Sequence, residues 1–285
     1  MVRDLSADLK ACAINTATLG FQAPIKEVVE AVARAGFGAL APWRREVEGG
    51  DVPAIAKQIR DAGLKVSGYC RSTYIPANTR DGFRSNVESN KRAIMDAAVL
   101  GADTFVMVVG GLPLHSKDIA GARQQVKDAT AELLRHGKEL GVRLSLEPLH
   151  PVYAAERSCL TLTAEALDWC DEIEGGTLDP WLGVCLDVYH TWWDPNVLSS
   201  IARAGAARRI FNFHVCDWLV PTEDVLNDRG MMGDGVIDVK ALRAAVEAAG
   251  YRSHVEAEIF SVRNWWTRAI DETLSITRER FATAT

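Results

Sequence analysis

No two cysteines in this chain form a C-x-x-C pair: Cys12, Cys70, Cys159, Cys170, Cys185 and Cys216 are scattered. That spacing argues against a zinc knuckle or a disulfide frame, and the six read as reduced, mostly buried, small apolar residues. Positive charge is also short, with 32 Lys and Arg against 38 Asp and Glu and a formal net charge of −6. A nucleic-acid partner normally meets a basic face, so none is expected. No apolar run requires a membrane partner, and the polar opening MVRDLSADLK lacks the apolar stretch of a secretory signal, so the expected location is cytoplasmic. The glycine-rich phosphate loop of an open doubly wound sheet is missing too: INTATLG, residues 14–20, has no such pattern. No linker, low-complexity tract or charge block divides residues 1–285, which are read as one domain. At 285 residues, 48% hydrophobic, the chain has enough apolar material for one large core.

What is present is an alternation. Strand candidates at 11–18, 38–42, 64–70, 104–109, 143–148, 183–189, 210–216 and 254–260 alternate with helix candidates at 24–35, 51–62, 83–100, 118–140, 163–172, 196–204, 238–249 and 264–281. Proline opens the first helix, Thr163 is an N-cap candidate for the fifth, and a glycine stops the helix before six of the strands (Gly36, Gly63, Gly101, Gly141, Gly205 and Gly250). Eight such units in this length imply parallel strands with helical crossovers, and the predicted fold class is α/β, a (β/α)8 TIM barrel.

The last four strand candidates carry the chemistry. With period two, Leu144, Leu146, Val184, Leu186, Phe211, Phe213, Val255 and Ile259 fall on one face, and Glu147, Asp187, His214 and Glu258 on the other. Each of the four sits near the C-terminal end of its run, where a barrel keeps its functional groups. Three carboxylates and one imidazole suit a hard or borderline divalent ion, with Mn2+ foremost and Mg2+, Co2+ or Zn2+ as alternatives. Glu256 shares the parity of Glu258; one layer deeper, it is expected to pair with Arg143 or His254, which leaves Glu258 as the favoured ligand.

Other residues describe a substrate. Trp43, Trp192, Trp193, Trp218, Trp265 and Trp266 lie just past strand ends, where aromatic faces cover the apolar side of a sugar ring or simply pack. His115 and His150 follow the fourth and fifth strands and are hydroxyl-binding candidates; His190, three residues after Asp187, is placed to turn over the pocket. Arg229 either forks onto a substrate anion or holds its loop through Asp228 or Asp234. Asp217, three residues after His214, is expected to orient the imidazole or an arginine. With neither a second cation nor an amide cradle evident, an uncharged sugar, keto-cyclitol or glycoside is expected.

The ordered set Glu147-Pro148-Leu149, Asp187-Val188-Tyr189-His190, His214-Val215-Cys216-Asp217, Arg229 before Gly233-Asp234-Gly235-Val236-Ile237-Asp238, and Glu258-Ile259-Phe260 resembles the sugar phosphate isomerase/epimerase superfamily with the xylose isomerase-like TIM barrel, which includes ketose 3-epimerases and inosose-processing enzymes. The resemblance covers roughly residues 10–280. It implies metal ligation by Glu147, Asp187, His214 and Glu258, contact of His190 and Arg229 with substrate oxygens, and folding of residues 228–235 over the site. The implied activity is divalent-metal-dependent isomerisation or epimerisation of a sugar or keto-cyclitol through an enediolate, with Glu147 and Glu258 as acid and base. A lyase, dehydratase or C-glycoside-cleaving reaction stays open, because loss of a β-hydroxyl after enolisation uses the same groups. The motif EPLHP followed by WWDP departs from the well-known epimerases. An endonuclease IV-like nuclease would hold more histidines than the six here, and a non-catalytic sugar binder is a third class. A homo-oligomer is compatible with the aromatic segment 264–266.

Overall fold

Capping chemistry sets the helix boundaries. In the structure, a computed structural model describing residues 2–285, Asp51, Thr79, Asp118 and Asp238 each accept a backbone N–H from the first turn of α2 (Val52–Asp61), α3 (Arg80–Leu100), α4 (Ile119–Leu140) and α7 (Val239–Ala248). Left-handed glycines end α1 (Ile25–Ala35), α3 and α4, with Gly36 at φ 92°. The remaining long helices are α5 (Thr163–Glu174), α6 (Val197–Ala206) and α8 (Ile270–Thr283), with single-turn helices at Arg44–Val47 and Val188–Thr191. Three expected starts move. The third helix begins at Arg80, because Thr79 caps it. Leu162, not Thr163, holds the N-cap position of α5 and gives no side-chain cap. Residues 264–269 form a single 3-10 turn, Trp265–Thr267, ahead of α8 rather than its first turns.

The strands are β1 (Cys12–Asn15), β2 (Ala39–Ala41), β3 in two pieces (Lys65–Val66 and Tyr69–Cys70), β4 (Thr104–Met107), β5 (Arg143–Leu146), β6 (Leu182–Asp187), β7 (Ile210–Val215) and β8 (Val255–Ala257). All neighbours are parallel, and β8 returns to β1 with Cys12 opposite Val255. The first piece of β3 pairs with β2 and the second with β4, so the break in β3 is where the ring closes. Gly68 sits at that break. A Cβ there would lie 3.2 Å from Asn212 Nδ2 and 3.3 Å from Thr104 Oγ1, inside the barrel, so a larger residue would crowd the lumen.

The two strand faces meet different surroundings. Leu144, Leu146, Val184, Leu186, Phe213, Val255 and Ile259 pack outward against the helices in the main core, each contributing roughly 1.5–3 kcal/mol of burial. The lumen is small and half polar: Cys70, Val106 and Cys185 cluster beneath Trp43, and Thr104 bonds Asn212 at 3.0 Å. Among the described residues no helix is long and apolar enough to cross a membrane. All six cysteines are free and buried.

Candidate metal centre and active site

Strand register places the four ligand candidates on one rim. The Glu147 N–H donates to Met107 O (3.0 Å), which fixes the residue just past β5, and the Glu258 N–H donates to Val215 O (3.1 Å) just past β8. Asp187 ends β6, and His214 lies opposite it in β7. Glu147, Asp187, His214 and Glu258 are all buried and offer ligand atoms within 4.8 Å of one another. The sets of metal-capable side chains found among the described residues both belong to this rim; the second exchanges Asp187 and Glu258 for Cys185. A wider depression at the opposite rim, lined by Asp103, Arg143 and Arg252 among others, gathers no such set.

Glu256 lies one layer below, and its partner differs from expectation. Arg143 points outward to Asp179 at 2.9 Å. Glu256 Oε1 instead lies 3.1 Å from His214 Nε2, while Ser67 Oγ (2.6 Å) and Asn15 Nδ2 (2.9 Å) donate to the same carboxylate. The physical reason is the inward parity that Glu256 shares with His214 on the neighbouring strand, directly opposite it in the pairing register. A carboxylate on Nε2 orients the imidazole as in carboxylate–histidine–metal arrangements. It leaves Nδ1 toward the rim, 3.8 Å from Glu147 Oε1 and 3.7 Å from Glu258 Oε2. Both His214 nitrogens and Glu147 Oε1 are buried polar atoms without a well-aligned hydrogen-bond partner, Nε2 being left with its ion-pair contact to Glu256; at Nδ1 and Oε1 an added cation relieves that condition. An oxygen-rich set with one nitrogen therefore fits a divalent ion.

Arg229 does not hold its loop through Asp228 or Asp234, as one of its two expected uses required. Asp234 is paired with Arg280 at 3.1 Å, and Asp228 accepts from the Glu223 N–H at 2.9 Å. Arg229 Nη1 donates to Asp187 Oδ2 (3.0 Å) and Glu258 Oε2 (3.3 Å), and its Nη2 lies 3.2 Å from His190 Nε2. The guanidinium is fixed over the Tyr189 ring, 4.3 Å from its centroid. Asp217 is likewise not on the imidazole: it accepts from the N–H groups of Gly233 and Ile237 at 2.9 Å each, pinning the 229–237 loop beside the site. Asn15, which sequence reasoning missed, bridges Glu256 to Glu258 Oε1 (3.0 Å) and accepts from Trp43 Nε1 (2.7 Å).

These contacts divide the carboxylates. Burial, then the neighbouring Glu258 charge, pushes Glu147 up to about 8. Burial also raises Asp187, against the pull of Arg229, to about 6. Burial acts on Glu258 in the same direction, but the adjacent His214 and then Arg229 outweigh it and hold that carboxyl below its usual range. His214 goes the other way: burial opposes its charge, yet Cys185 and Glu256 raise it well above an ordinary histidine. His190, on the short helix Val188–Thr191 rather than in a loop, is held well below by burial and by Arg229. The His150 N–H donates to its Nδ1 at 3.3 Å.

Above the ligand set lies a narrow, nearly filled pocket with a cavity volume of about 20 Å³, well below the usual range of small-molecule clefts. Trp43 and Phe260 form its aromatic wall, with rings 5.3 Å apart in edge contact. Glu147, His190, Arg229 and Glu258 line it, joined by Arg71 and Arg157, two cations that sequence reasoning did not find. Their signal was faint, an arginine just past β3 and another ten residues past Glu147. His115 and Trp192 are not in the lining. His115, at φ 64°, is exposed on the loop before α4. Trp192 packs on Trp218, whose ring stacks on Tyr189. Trp193 donates to His190 O at 2.8 Å and Trp266 to Ala17 O at 2.6 Å, so most of the tryptophans buttress the rim.

Comparison with known proteins agrees with this architecture. A protein of Sinorhizobium meliloti 1021 of known structure is 44% identical, with a TM-score of 0.93 over 97% of this chain and 99% of that one. The 3-keto-D-glucoside 4-epimerase of E. coli shares the fold at 18% identity, with a TM-score of 0.70 over 92% of this chain and 94% of its own. The 3-dehydroshikimate dehydratase of Pseudomonas putida is 24% identical over 256 residues, 87% of this chain; the chain spans 38% of that relative's length. The xylose isomerase-like TIM barrel family model matches residues 29–280, and the chain belongs to that family.

Proposed function

We propose that the protein is a divalent-metal-dependent enzyme that enolises a ketone-bearing sugar or cyclitol skeleton and returns the proton as an isomerase or epimerase. Glu147, Asp187, His214 and Glu258 would hold the ion, which when bound supplies Lewis acidity toward a carbonyl and its neighbouring hydroxyl. The observation that carries the reading is the convergence of two buried carboxylates from separate strands, Glu147 past β5 and Glu258 past β8, on one pocket. Glu258, beside His214 and Arg229, would take the proton beside the carbonyl. Glu147, whose Oε1 has no hydrogen-bond partner, faces the same space and would return it. Trp43 and Phe260 would cover the apolar side of the ring and exclude water, and Asn15 and Glu256 keep Glu258 and His214 in place.

A dehydratase or other lyase is the second reading, favoured by the similarity to 3-dehydroshikimate dehydratase. Its first half is the same proton abstraction, followed by loss of a β-hydroxyl, which would leave as water with the proton that Glu258 abstracted. The test is solvent deuterium uptake into a panel of ketoses and inososes with Mn2+ present. Exchange at the carbon beside the ketone is expected, and it should fall by at least 100-fold in Glu258→Gln. A lyase shows itself by an accumulating conjugated carbonyl absorbance. Failure of every substrate to exchange would overturn both readings.

A further inference from the structure

Two guanidinium groups at the mouth of the pocket have no carboxylate of their own. Arg71 immediately follows β3 and Arg157 lies in the loop after β5, so the two approach the ligand set from separate strands and face the same space. Arg71 Nη1 donates to its neighbour's carbonyl, Ser72 O, at 3.1 Å. Its Nε, like that of Arg157, is buried and without a hydrogen-bond partner. Aromatic faces hold both groups: Arg71 lies 4.4 Å from the Tyr74 centroid and Arg157 5.4 Å from that of Tyr153. The two are close enough that Arg157 adds to the effect of burial in disfavouring the Arg71 charge. The third arginine of the pocket, Arg229, is already engaged by Asp187 and Glu258.

Like charges packed beside a closed pocket, with donors aimed at nothing, are costly unless an anion completes them. We propose that Arg71 and Arg157 form an anion subsite that grips a carboxylate of the substrate, so that the enzyme acts on a keto or hydroxy acid rather than a neutral sugar. This rests on the reading of the pocket as an enolising active site, and it revises the uncharged substrate expected from sequence. A carboxylate is favoured over a phosphate because planar guanidinium forks match its two oxygens. Proton transfer remains at the other end of the molecule, between Glu258 and Glu147.

The experiment uses ketoses matched at one carbon: D-fructose and D-tagatose, their 6-carboxylates D-fructuronate and D-tagaturonate, and their 6-phosphates. Affinities are read by calorimetry on the full chain, with Mn2+ and again after its removal by chelation. At least one acid is expected to bind 10-fold or more tighter than its neutral partner and tighter than its phosphate. That preference should shrink to under 3-fold in the Arg71→Gln, Arg157→Gln double variant and survive in part in the double lysine variant, which keeps the charge if not the fork. No preference for an acid, failure of both acids to bind at millimolar concentration, a preference surviving the glutamine variant, or a stronger preference for phosphate would each overturn the assignment. If the glutamine variant fails to fold, judged by its melting curve, the wild-type ladder and the lysine variant decide alone. Absence of deuterium exchange with an intact acid preference would remove the enolising reading and leave the anion subsite standing.

Discussion

Loading the ligand set with a divalent ion is expected to expel about two protons at neutral pH. In the protein alone Glu147 keeps a proton up to about pH 8, and His214 is held protonated well above the ordinary histidine range. Asp187, Glu256 and Glu258 are then ionised at pH 7, and Arg229 is cationic. Those six groups together carry one net negative charge. An ion bound through Glu147 and His214 Nδ1 needs both protons gone, and two positive charges leave as two arrive. The exchange leaves the buried cluster's charge unchanged, which avoids the large cost of altering net charge in a low dielectric. With Glu147 at about 8 and Asp187 at about 6, the release at pH 7 is roughly 0.9 and 0.1 from the two carboxyls and about one from His214. The carboxyl share should rise to roughly 1.5 at pH 6 and fall to roughly 0.2 at pH 8.5. Calorimetry of Mn2+ binding in buffers of different ionisation enthalpy measures this directly, and affinity should climb about 100-fold per pH unit near 7. Release below about one proton at pH 7, or an affinity changing less than about 3-fold between pH 6 and 8, would refute the reasoning.

Two further outcomes follow from the same groups. Glu256→Gln removes the partner of His214 Nε2, so Mn2+ affinity should drop about 10- to 100-fold and proton release at pH 7 should fall toward one, because nothing then holds the imidazolium. Unchanged release would place the second proton elsewhere. The metal-free protein should lose stability as pH rises. The folded pKa of Glu147 lies above its unfolded value near 4.5, so between those values the folded state binds the extra proton and stability declines with pH. The raised His214 contributes stability that is complete below pH 6.5 and is lost as pH climbs through its folded value. Melting temperature without metal is expected to fall by roughly 2–5 °C per unit above pH 6.5, with Mn2+ flattening the curve; a rise over that interval would contradict the assigned directions.

The alternation of helix and strand and the glycine stops were legible along the chain because they are local: a left-handed glycine acts within one turn. The meeting of Glu147, Asp187, His214 and Glu258 on the C-terminal rim was legible for the same reason, since period two carried them to the face opposite the buried leucines and valines. Tertiary structure decided what each polar group touches. That Glu256 meets His214 rather than Arg143, that Arg229 clasps Asp187 and Glu258, and that Asp217 pins the 229–237 loop all depend on how far β7 and β8 are staggered and which way a loop returns. Arg71 and Arg157 are 86 residues apart in sequence and share no motif, so their meeting was invisible until the ring closed. His115 shows the converse, a residue at a suitable distance past its strand that the backbone turns outward. Periodicity assigns a face; only the closed barrel, by the angles at which its strands cross and stagger, assigns a partner.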